Sequence, residues 1–217
     1  MKKLFLSLLM SALFLGCASK TPDKDEYSGF LKSYKHLKEV EASDGVDVLA
    51  WTNENFKKGK YHSILLDPVA LYPDLPSDDD MSKNTTKAML DHFNKALKTE
   101  LSKTVKLSDA PGPGVVRLRI AITSIDKTIQ DYKWYSYIPL TFVVTSAGEL
   151  TGLRDKASVL NVEAELVDSV TDEAQVSVVR KDFGNNLDKD DQITMKEIKK
   201  TLDKWAKNTS TYMKKNL

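Results

Sequence analysis

The sequence predicts an α+β fold in which a mainly antiparallel sheet of about four to five strands is covered by two long helices. Apolar residues recur at helical spacing over 83–105 and over 193–213, which predicts the two helices. Apolar and polar residues alternate over 116–123 and over 160–166, which is typical of strands with one buried face. The turn composition of residues 169–175 then predicts that the chain reverses into a further antiparallel strand.

Residues 1–16 have the pattern of a secretion signal that is removed. Two lysines precede an apolar run over 4–15. A bilayer-spanning helix needs roughly 20 apolar residues, so this run is too short to remain as a membrane span. The following Gly16-Cys17 resembles the lipobox of bacterial lipoproteins, although Phe14 stands where Leu is usual. We expect cleavage before Cys17 and acylation of Cys17, and the alternative is an ordinary buried thiol.

An acylated Cys17 would anchor the protein in a membrane without spanning it. Each acyl chain, such as palmitate, contributes ~0.8 kcal/mol per buried methylene, so several chains anchor a protein permanently. In Gram-negative lipoproteins an Asp after the Cys tends to retain the protein at the inner membrane, whereas Ala18 resembles the outer-membrane class. We therefore expect an outer-membrane protein that faces the periplasm. Residues 17–27 form its lipidated, polar tether and 28–217 its single periplasmic domain.

The composition is that of a globular domain and does not favour a nucleic-acid partner. The chain is 41% hydrophobic and 29% charged. Its 32 basic residues, two of which lie in the signal, nearly balance 31 acidic residues. A nucleic-acid-binding protein would instead carry a clustered basic patch. Because Cys17 is the only cysteine, an internal disulfide is excluded and the fold must be held by its core.

The first part of the domain is expected to contain a short helix, a buried strand and a long helix. Apolar residues three and four positions apart over 27–37 suit a short helix with one apolar edge. The apolar run that starts at Ser63 is short and is ended by Pro68, as expected of a buried strand. The long helix over 83–105 has an apolar stripe formed by Leu90, Phe93, Leu97, Leu101 and Val105.

Four charged side chains are predicted to share the polar face of the sheet. Arg117 and Arg119 alternate with apolar residues on one strand, and Glu163 and Glu165 do so on another. Since alternate residues of a strand point to the same side, each pair lies on one face. These four residues either form a face that binds an anionic ligand or pair with one another across neighbouring strands.

The segment over 131–152 is rich in aromatic and aliphatic side chains and follows no clear period. It contains Trp134, Tyr135, Tyr137 and Phe142, and it is too short to cross a bilayer as a helix. Such a patch is typical of a contact with a protein partner or a membrane surface. The alternative is a crossover that packs as a lid over the sheet.

The last helix has a well-marked start. Thr194 and Glu197 have the spacing of a capping box, and Ile193 and Ile198 are placed as a hydrophobic staple. The same region overlaps a calcium-loop pattern, because Asn186, Asp188, Asp190 and Glu197 fall at positions 1, 3, 5 and 12. The glycine that the sharp turn of a calcium loop requires is replaced here, so a capped helix is the favoured interpretation.

No catalytic, cofactor or metal motif stands out elsewhere. The three aspartates at 78–80 either bind a cation or form a solvated run near the start of the first long helix. The three histidines are far apart and lack metal-ligand spacing. A glycine-rich phosphate loop and a Gly-x-Ser-x-Gly motif are both missing. We therefore predict no enzyme activity, no cofactor and no metal site.

Several stretches taken together resemble one known family. After the lipobox these stretches are Tyr27-Ser28-Gly29-Phe30-Leu31, Ile64-Leu65-Leu66-Asp67-Pro68-Val69, Leu118-Arg119-Ile120-Ala121-Ile122-Thr123, Val162-Glu163-Ala164-Glu165-Leu166-Val167-Asp168-Ser169 and Trp205-Ala206. In this order they resemble the bacterial lipoproteins of domain of unknown function (DUF) 3313, over nearly the whole mature chain. That family has no assigned catalytic residues, so the resemblance implies an envelope lipoprotein and offers no catalytic residues to carry over to this chain.

Two functional hypotheses follow. The first is a non-enzymatic interaction or assembly module of the cell envelope, held at the membrane by its acyl chains and contacting an envelope protein partner. The second is a binder of small ligands or a hydrolase of envelope material that uses Arg117, Arg119, Glu163 and Glu165. A deep pocket lined by these four side chains would favour the second hypothesis.

Overall fold

The protein folds as one mixed, mostly antiparallel sheet with two long helices on one face. In this computed structural model the structure describes residues 21–73, 82–129, 156–187 and 192–217. The α+β class and the mainly antiparallel sheet are confirmed, but the sheet has eight strands within these described ranges rather than four to five.

The strands lie in the order β1-β2-β8-β7-β6-β3-β5, with β4 beside β6. Their bounds are Lys38–Glu41 for β1, Asp47–Thr52 for β2, Ser63–Leu66 for β3, Ala70–Leu71 for β4, Lys106–Leu107 for β5, Val115–Ile129 for β6, Lys156–Asp168 for β7 and Ala174–Leu187 for β8. The β3 strand pairs parallel with β5 and β6, and β4 pairs parallel with β6. The other pairings are antiparallel.

The long strands β6, β7 and β8 form the centre of the sheet. The predicted hairpin is present as β7 and β8, and β6 pairs antiparallel with β7 so that Arg119 lies opposite Glu165. A register shift between Ile122 and Ser124 marks a bulge in β6. Since the period of a strand is two, this register puts Arg117, Arg119, Glu163 and Glu165 on one face, as the alternation predicted.

Both predicted helices are present, with slightly different bounds. Helix α1 spans Lys83–Ser102, and Ser82 caps its N-terminus by accepting the Thr85 N–H. Helix α2 spans Met195–Asn216 and begins with the predicted capping box. The staple residues Ile193 and Ile198 are fully buried. Among the described helices, none has the length and apolar character that a bilayer crossing needs.

The core lies between the helices and the apolar face of the sheet. Phe93 of α1 and Trp205 of α2 pack with ring centroids 6.0 Å apart. Fully buried residues of both layers complete the core, among them Ile64, Met89, Leu97, Leu101, Val116, Ile122, Leu160 and Leu202. This packing leaves the polar face of the sheet on the side opposite to the helices.

The helix predicted over 27–37 is wrong, because this segment contains no helix and crosses the polar face of the sheet. Gly29 adopts φ +90, which a helix does not allow. The N–H groups of Ser28 and Lys32 bond to glutamates of β7 instead of to helical carbonyls. Side chains at that spacing, such as Phe30 and Tyr34, contact the sheet from a segment of bends and turns.

Candidate functional site

The polar face of the sheet is covered by residues 21–37, which we call the strap. The strap passes over β7 and contacts Glu163 and Glu165, the two glutamates of β7 that lie on this face. It includes residues 21–27, which the sequence assigned to a polar tether. In the structure Glu26 lies against the sheet, where it pairs with Lys181 at 2.8 Å and accepts a hydrogen bond from Asn161 at 3.4 Å.

Glu163 binds the middle of the strap. Its side chain is fully buried and accepts the Ser28 N–H at 2.9 Å and the Tyr34 O–H at 2.5 Å. The Tyr34 oxygen in turn accepts the Gly29 N–H at 2.8 Å, so one side chain closes the loop formed by Gly29 to Tyr34. Burial and the hydrogen bond to Glu163 raise the pKa of Tyr34 above its ordinary value.

Glu165 binds the next part of the strap and the neighbouring strand. It is 1% exposed, accepts the Lys32 N–H at 3.1 Å and pairs with Arg119 at 3.0 Å. Burial raises the pKa of Glu165 above its ordinary value, although the Lys32 N–H and the Arg119 charge oppose that rise. The cross-strand Arg–Glu pairing that the sequence left as one of two alternatives is thus present for Arg119 and Glu165.

The two arginines of β6 are also occupied by neighbouring groups. The Arg119 guanidinium lies 4.9 Å from the ring centroid of Phe30, a distance typical of a cation–π contact. Phe30 in turn packs edge-on against Tyr72, with centroids 5.7 Å apart. The Arg117 guanidinium lies 3.5 Å from the Asp67 carboxylate.

Further contacts fix the strap along its length. Tyr27 stacks on Tyr34 with centroids 4.5 Å apart. Lys32 forms an ion pair with Asp172 in the turn between β7 and β8. The strap therefore binds the sheet through charged, hydrogen-bonded and aromatic contacts from Glu26 to Tyr34.

A second polar cluster lies on the helix side of the sheet. Arg180 of β8 is mostly buried and donates to Asp44 at 2.7 Å and to Asp182 at 2.7 Å. Asp44 also accepts from Asn208 at 2.8 Å, and Asp182 accepts the Trp205 N–H at 2.9 Å. This cluster joins the turn between β1 and β2, strand β8 and helix α2. Because each charged group has an opposite charge as a partner, the cluster is a structural network.

Several predicted site residues lie outside the described residues. They are the lipidation site Cys17, the aromatic residues Trp134, Tyr135, Tyr137 and Phe142, the aspartates at 78–80, and Asp188 and Asp190 of the calcium pattern. Glu197, the last position of that pattern, is described, and its carboxylate accepts the Thr194 N–H at 2.9 Å as the capping box requires. Within the described ranges no cluster of three or more His, Cys, Asp or Glu side chains is placed to hold a metal ion.

Sequence reasoning found the two glutamates and Arg119 but missed the residues that bind them. Ser28, Lys32 and Tyr34 lie about 130 positions earlier in the chain. The available signal was the run of charged residues at alternating strand positions, which must be paired if the face is covered. Without the position of the strap, that signal could not distinguish pairing from ligand binding.

Several solved structures have a low similarity to this chain. A PelC dodecamer chain from Paraburkholderia phytofirmans is 9% identical with a TM-score of 0.35, covering 76% of this chain and 94% of that chain. A neuraminyllactose-binding hemagglutinin homolog from Helicobacter pylori is 10% identical with a TM-score of 0.35, covering 76% and 87%. A minor lipoprotein from Acinetobacter baumannii is 12% identical with a TM-score of 0.32, covering 72% and 94%. Scores of this size support no conclusion about this chain.

Sequence similarity is more informative. The chain is 30% identical over 198 residues to the uncharacterized lipoprotein YdcL of Escherichia coli strain K12, a match that covers 91% of this chain and 89% of that protein. The model of the family described as "Protein of unknown function (DUF3313)" matches residues 26–209. These matches confirm the resemblance seen in the sequence, and the chain belongs to the DUF3313 family.

Proposed function

We propose that the protein is a lipid-anchored lipoprotein of the outer membrane that faces the periplasm and acts as a non-enzymatic interaction or assembly module of the cell envelope. The apolar run over 4–15, the Gly16-Cys17 cleavage pattern and Ala18 support the anchor and its location. The lipoprotein relative at 30% identity supports the same anchor.

The observation that carries the proposal is the occupation of the polar face by the strap. Glu163 and Glu165 bind strap N–H groups, and Arg119 lies between Glu165 and Phe30. A carboxylate that acts as a general acid or base must reach the substrate directly or through one water. Because both glutamates are covered by the strap and accept its N–H groups, their carboxylates do not face a substrate. This arrangement favours an interaction module over a ligand binder or hydrolase.

For the partner contact we propose the aromatic residues Trp134, Tyr135, Tyr137 and Phe142. The support is their composition, since exposed aromatic patches mark interaction sites. A photo-crosslinking amino acid at position 135 or 142 in intact cells is expected to capture an envelope protein. If neither position gives a crosslink to a protein or to a lipid, the result would count against this contact.

The anchor is tested by Cys17→Ser. This variant is expected to leave the membrane fraction and to collect in the periplasmic extract, because it lacks the acyl chains. Mass spectrometry of the N-terminal peptide of the unaltered chain should show an acylated Cys17. The matched control is Ala18→Asp, which should stay acylated and shift from the outer to the inner membrane in a sucrose gradient. An unaltered chain without acyl groups would rule out the proposal.

A further inference from the structure

We infer that the strap fixes the membrane anchor to the sheet and holds the end of the sheet where β7 begins against the bilayer. The inference rests on the proposed acylation of Cys17 and adds to it a defined membrane-facing surface. A free tether over 17–27 would instead let the domain move away from the membrane.

The direction of the strap follows from its contacts along β7. Glu26 contacts Asn161, the Ser28 N–H bonds to Glu163, and the Lys32 N–H bonds to Glu165. The strap therefore runs in the same direction as β7. Glu26 ends a short 3-10 helix, Lys24–Glu26, and lies over Asn161 and Lys181. The N-terminal part of the strap is therefore nearer than its C-terminal part to the end of the sheet where β7 starts at Lys156, opposite to the turn between β7 and β8.

The lipid anchor on Cys17 cannot lie far from the sheet, because the strap begins only four residues later, at Thr21. Thr21 is only 5% exposed and Pro22 is also buried. Whatever their conformation, the four peptide units from Cys17 to Thr21 span at most roughly 14 Å. If the strap were detached up to Lys38 at the start of β1, the same anchor would allow a reach of roughly 70 Å.

Release of the strap is disfavoured by the groups that it covers. Glu163 would lose the Ser28 N–H and the Tyr34 O–H, and Glu165 would lose the Lys32 N–H. A buried carboxylate deprived of its donors is costly, so the attached strap is the stable state. The acyl chains and the sheet are then joined by a short segment instead of a long flexible tether.

Among the described residues, each end of the sheet carries one well-exposed apolar side chain that can serve as a probe position. Phe183 pairs with Val159 in the sheet register, lies two positions from Lys181 on the same face, and is 47% exposed. It places an apolar ring near the start of β7, and exposed apolar side chains held at a bilayer surface insert at the boundary of headgroups and acyl chains. Val170 in the turn between β7 and β8 is 62% exposed and lies at the other end, roughly 30 Å away along the strand.

Fluorescence energy transfer to the bilayer tests the inference. A fluorescent amino acid is placed at position 183 or at position 170 of the acylated chain, in vesicles of phosphatidylethanolamine and phosphatidylglycerol with acceptor headgroups. We expect transfer from position 183 to exceed transfer from position 170 severalfold, because transfer falls steeply with distance. Equal transfer from both positions, or stronger transfer from position 170, would overturn the inference.

Release of the strap provides the second arm. The double variant Leu31→Ala, Tyr34→Ala removes a buried side chain and the Glu163 donor from the strap and leaves the sheet residues unchanged. Transfer from position 183 should fall severalfold. If that variant does not fold by circular dichroism, a twelve-residue Gly-Ser insertion between Ala18 and Thr21 replaces it and should cause the same fall. Unchanged transfer in the folded double variant, or in the insertion variant, contradicts the inference.

A third arm separates this inference from the proposed function. The mature chain is coupled through the thiol of Cys17 to a maleimide lipid, so that it is held in the vesicle without natural acylation. Stronger transfer from position 183 than from position 170 in this arm supports the strap geometry even if native Cys17 proves unmodified. Equal transfer here, with native Cys17 acylated, would overturn the strap inference and leave the anchor intact.

Discussion

Asp44 is a single residue that joins three elements of the fold. It lies in the turn between β1 and β2, accepts two hydrogen bonds from Arg180 of β8, and accepts one from Asn208 of α2. Burial opposes ionisation of Asp44, but the hydrogen bonds from Arg180 and Lys204 outweigh it and hold the pKa of Asp44 well below its ordinary value. The short turn is thereby fixed to the helix layer.

Replacement of Asp44 should be costly for its size. Asp44→Asn keeps the shape but removes the charge that Arg180 and Lys204 face. We expect the free energy of unfolding to fall by about 1.5–3 kcal/mol, the usual range for hydrogen bonds to charged groups. Urea denaturation followed by circular dichroism measures it. The control Asp91→Asn breaks an exposed pair with Lys87 and should cost less than about 0.5 kcal/mol. Equal losses in both variants would contradict the structural role of Asp44.

Residue-level chemistry was predictable only where a local sequence pattern specified which face of a strand a side chain lies on. The alternation around Arg119 and Glu165 placed both side chains on one face, and the antiparallel pairing of β6 with β7 places the two residues opposite each other. The partners of Glu163 are Ser28 and Tyr34, which lie 135 and 129 positions away. No local pattern encodes contacts at that separation, so the covered face could not be told from an open one.

At the scale of elements, the strap depends on Tyr34 more than on any other described hydroxyl. That oxygen donates to Glu163 and accepts the N–H groups of Gly29 and Leu31. One side chain thus replaces the carbonyl partners that a helix or strand would have given to these amides.

Tyr34→Phe should loosen the strap without disturbing the helix layer. The loss of a hydroxyl bonded to a charged group is expected to lower the local stability of residues 28–34 by about 1.5–3 kcal/mol. Amide hydrogen exchange should then be faster in the strap and unchanged in α1 and α2. Tyr72→Phe is the control, since its ring contacts Phe30 and its hydroxyl takes no part in these bonds. Faster exchange throughout the sheet, or equal effects of both variants, would argue against a locally held strap.

Apart from β3, which the short apolar run at Ser63 predicted, the elements that the sequence predicted are the long periodic ones. Helix α1, helix α2 and strands β6 to β8 each repeat an apolar pattern over several turns or pleats. Strand β1 is exposed along its whole length and β4 and β5 have two residues each, so none of them carries a period to detect. Residues 27–37 form no helix despite their helical spacing, because Gly29 has a positive φ and the Ser28 N–H bonds to β7.

At the scale of the whole molecule, most shifted carboxyl groups favour the ionised form. Among the described residues, Glu26, Asp44, Asp168, Asp172, Glu197 and Asp203 have a lowered pKa. Glu165 alone among them has a raised pKa, caused mainly by burial. A lowered pKa adds stability that is present above the ordinary value and lost as pH falls. Glu165 contributes in the opposite sense, losing stability as pH rises through its raised value.

We therefore expect the protein to be destabilised by acid. Six carboxyl groups have a lowered pKa and one has a raised pKa. The melting temperature should therefore fall as pH drops from about 5 towards 2, the range in which carboxyl groups with a lowered pKa take up protons. Differential scanning fluorimetry across that range measures it. In Glu165→Gln the opposing contribution is removed, so the fall with acid should be steeper. A melting temperature that stays constant or rises below pH 4 would contradict this balance.

The strap also imposes an order on folding. Its bonds to β7 and β8 join residues 129 to 155 positions apart, so they form only after nearly the whole chain is available. Contacts at such separation close large loops and come late. With Cys17 acylated as proposed, a newly made chain would be held at the membrane through a long unfolded segment while the central strands pair. Binding of the strap to the sheet would then bring the folded domain close to the bilayer, so its distance from the membrane would depend on completed folding.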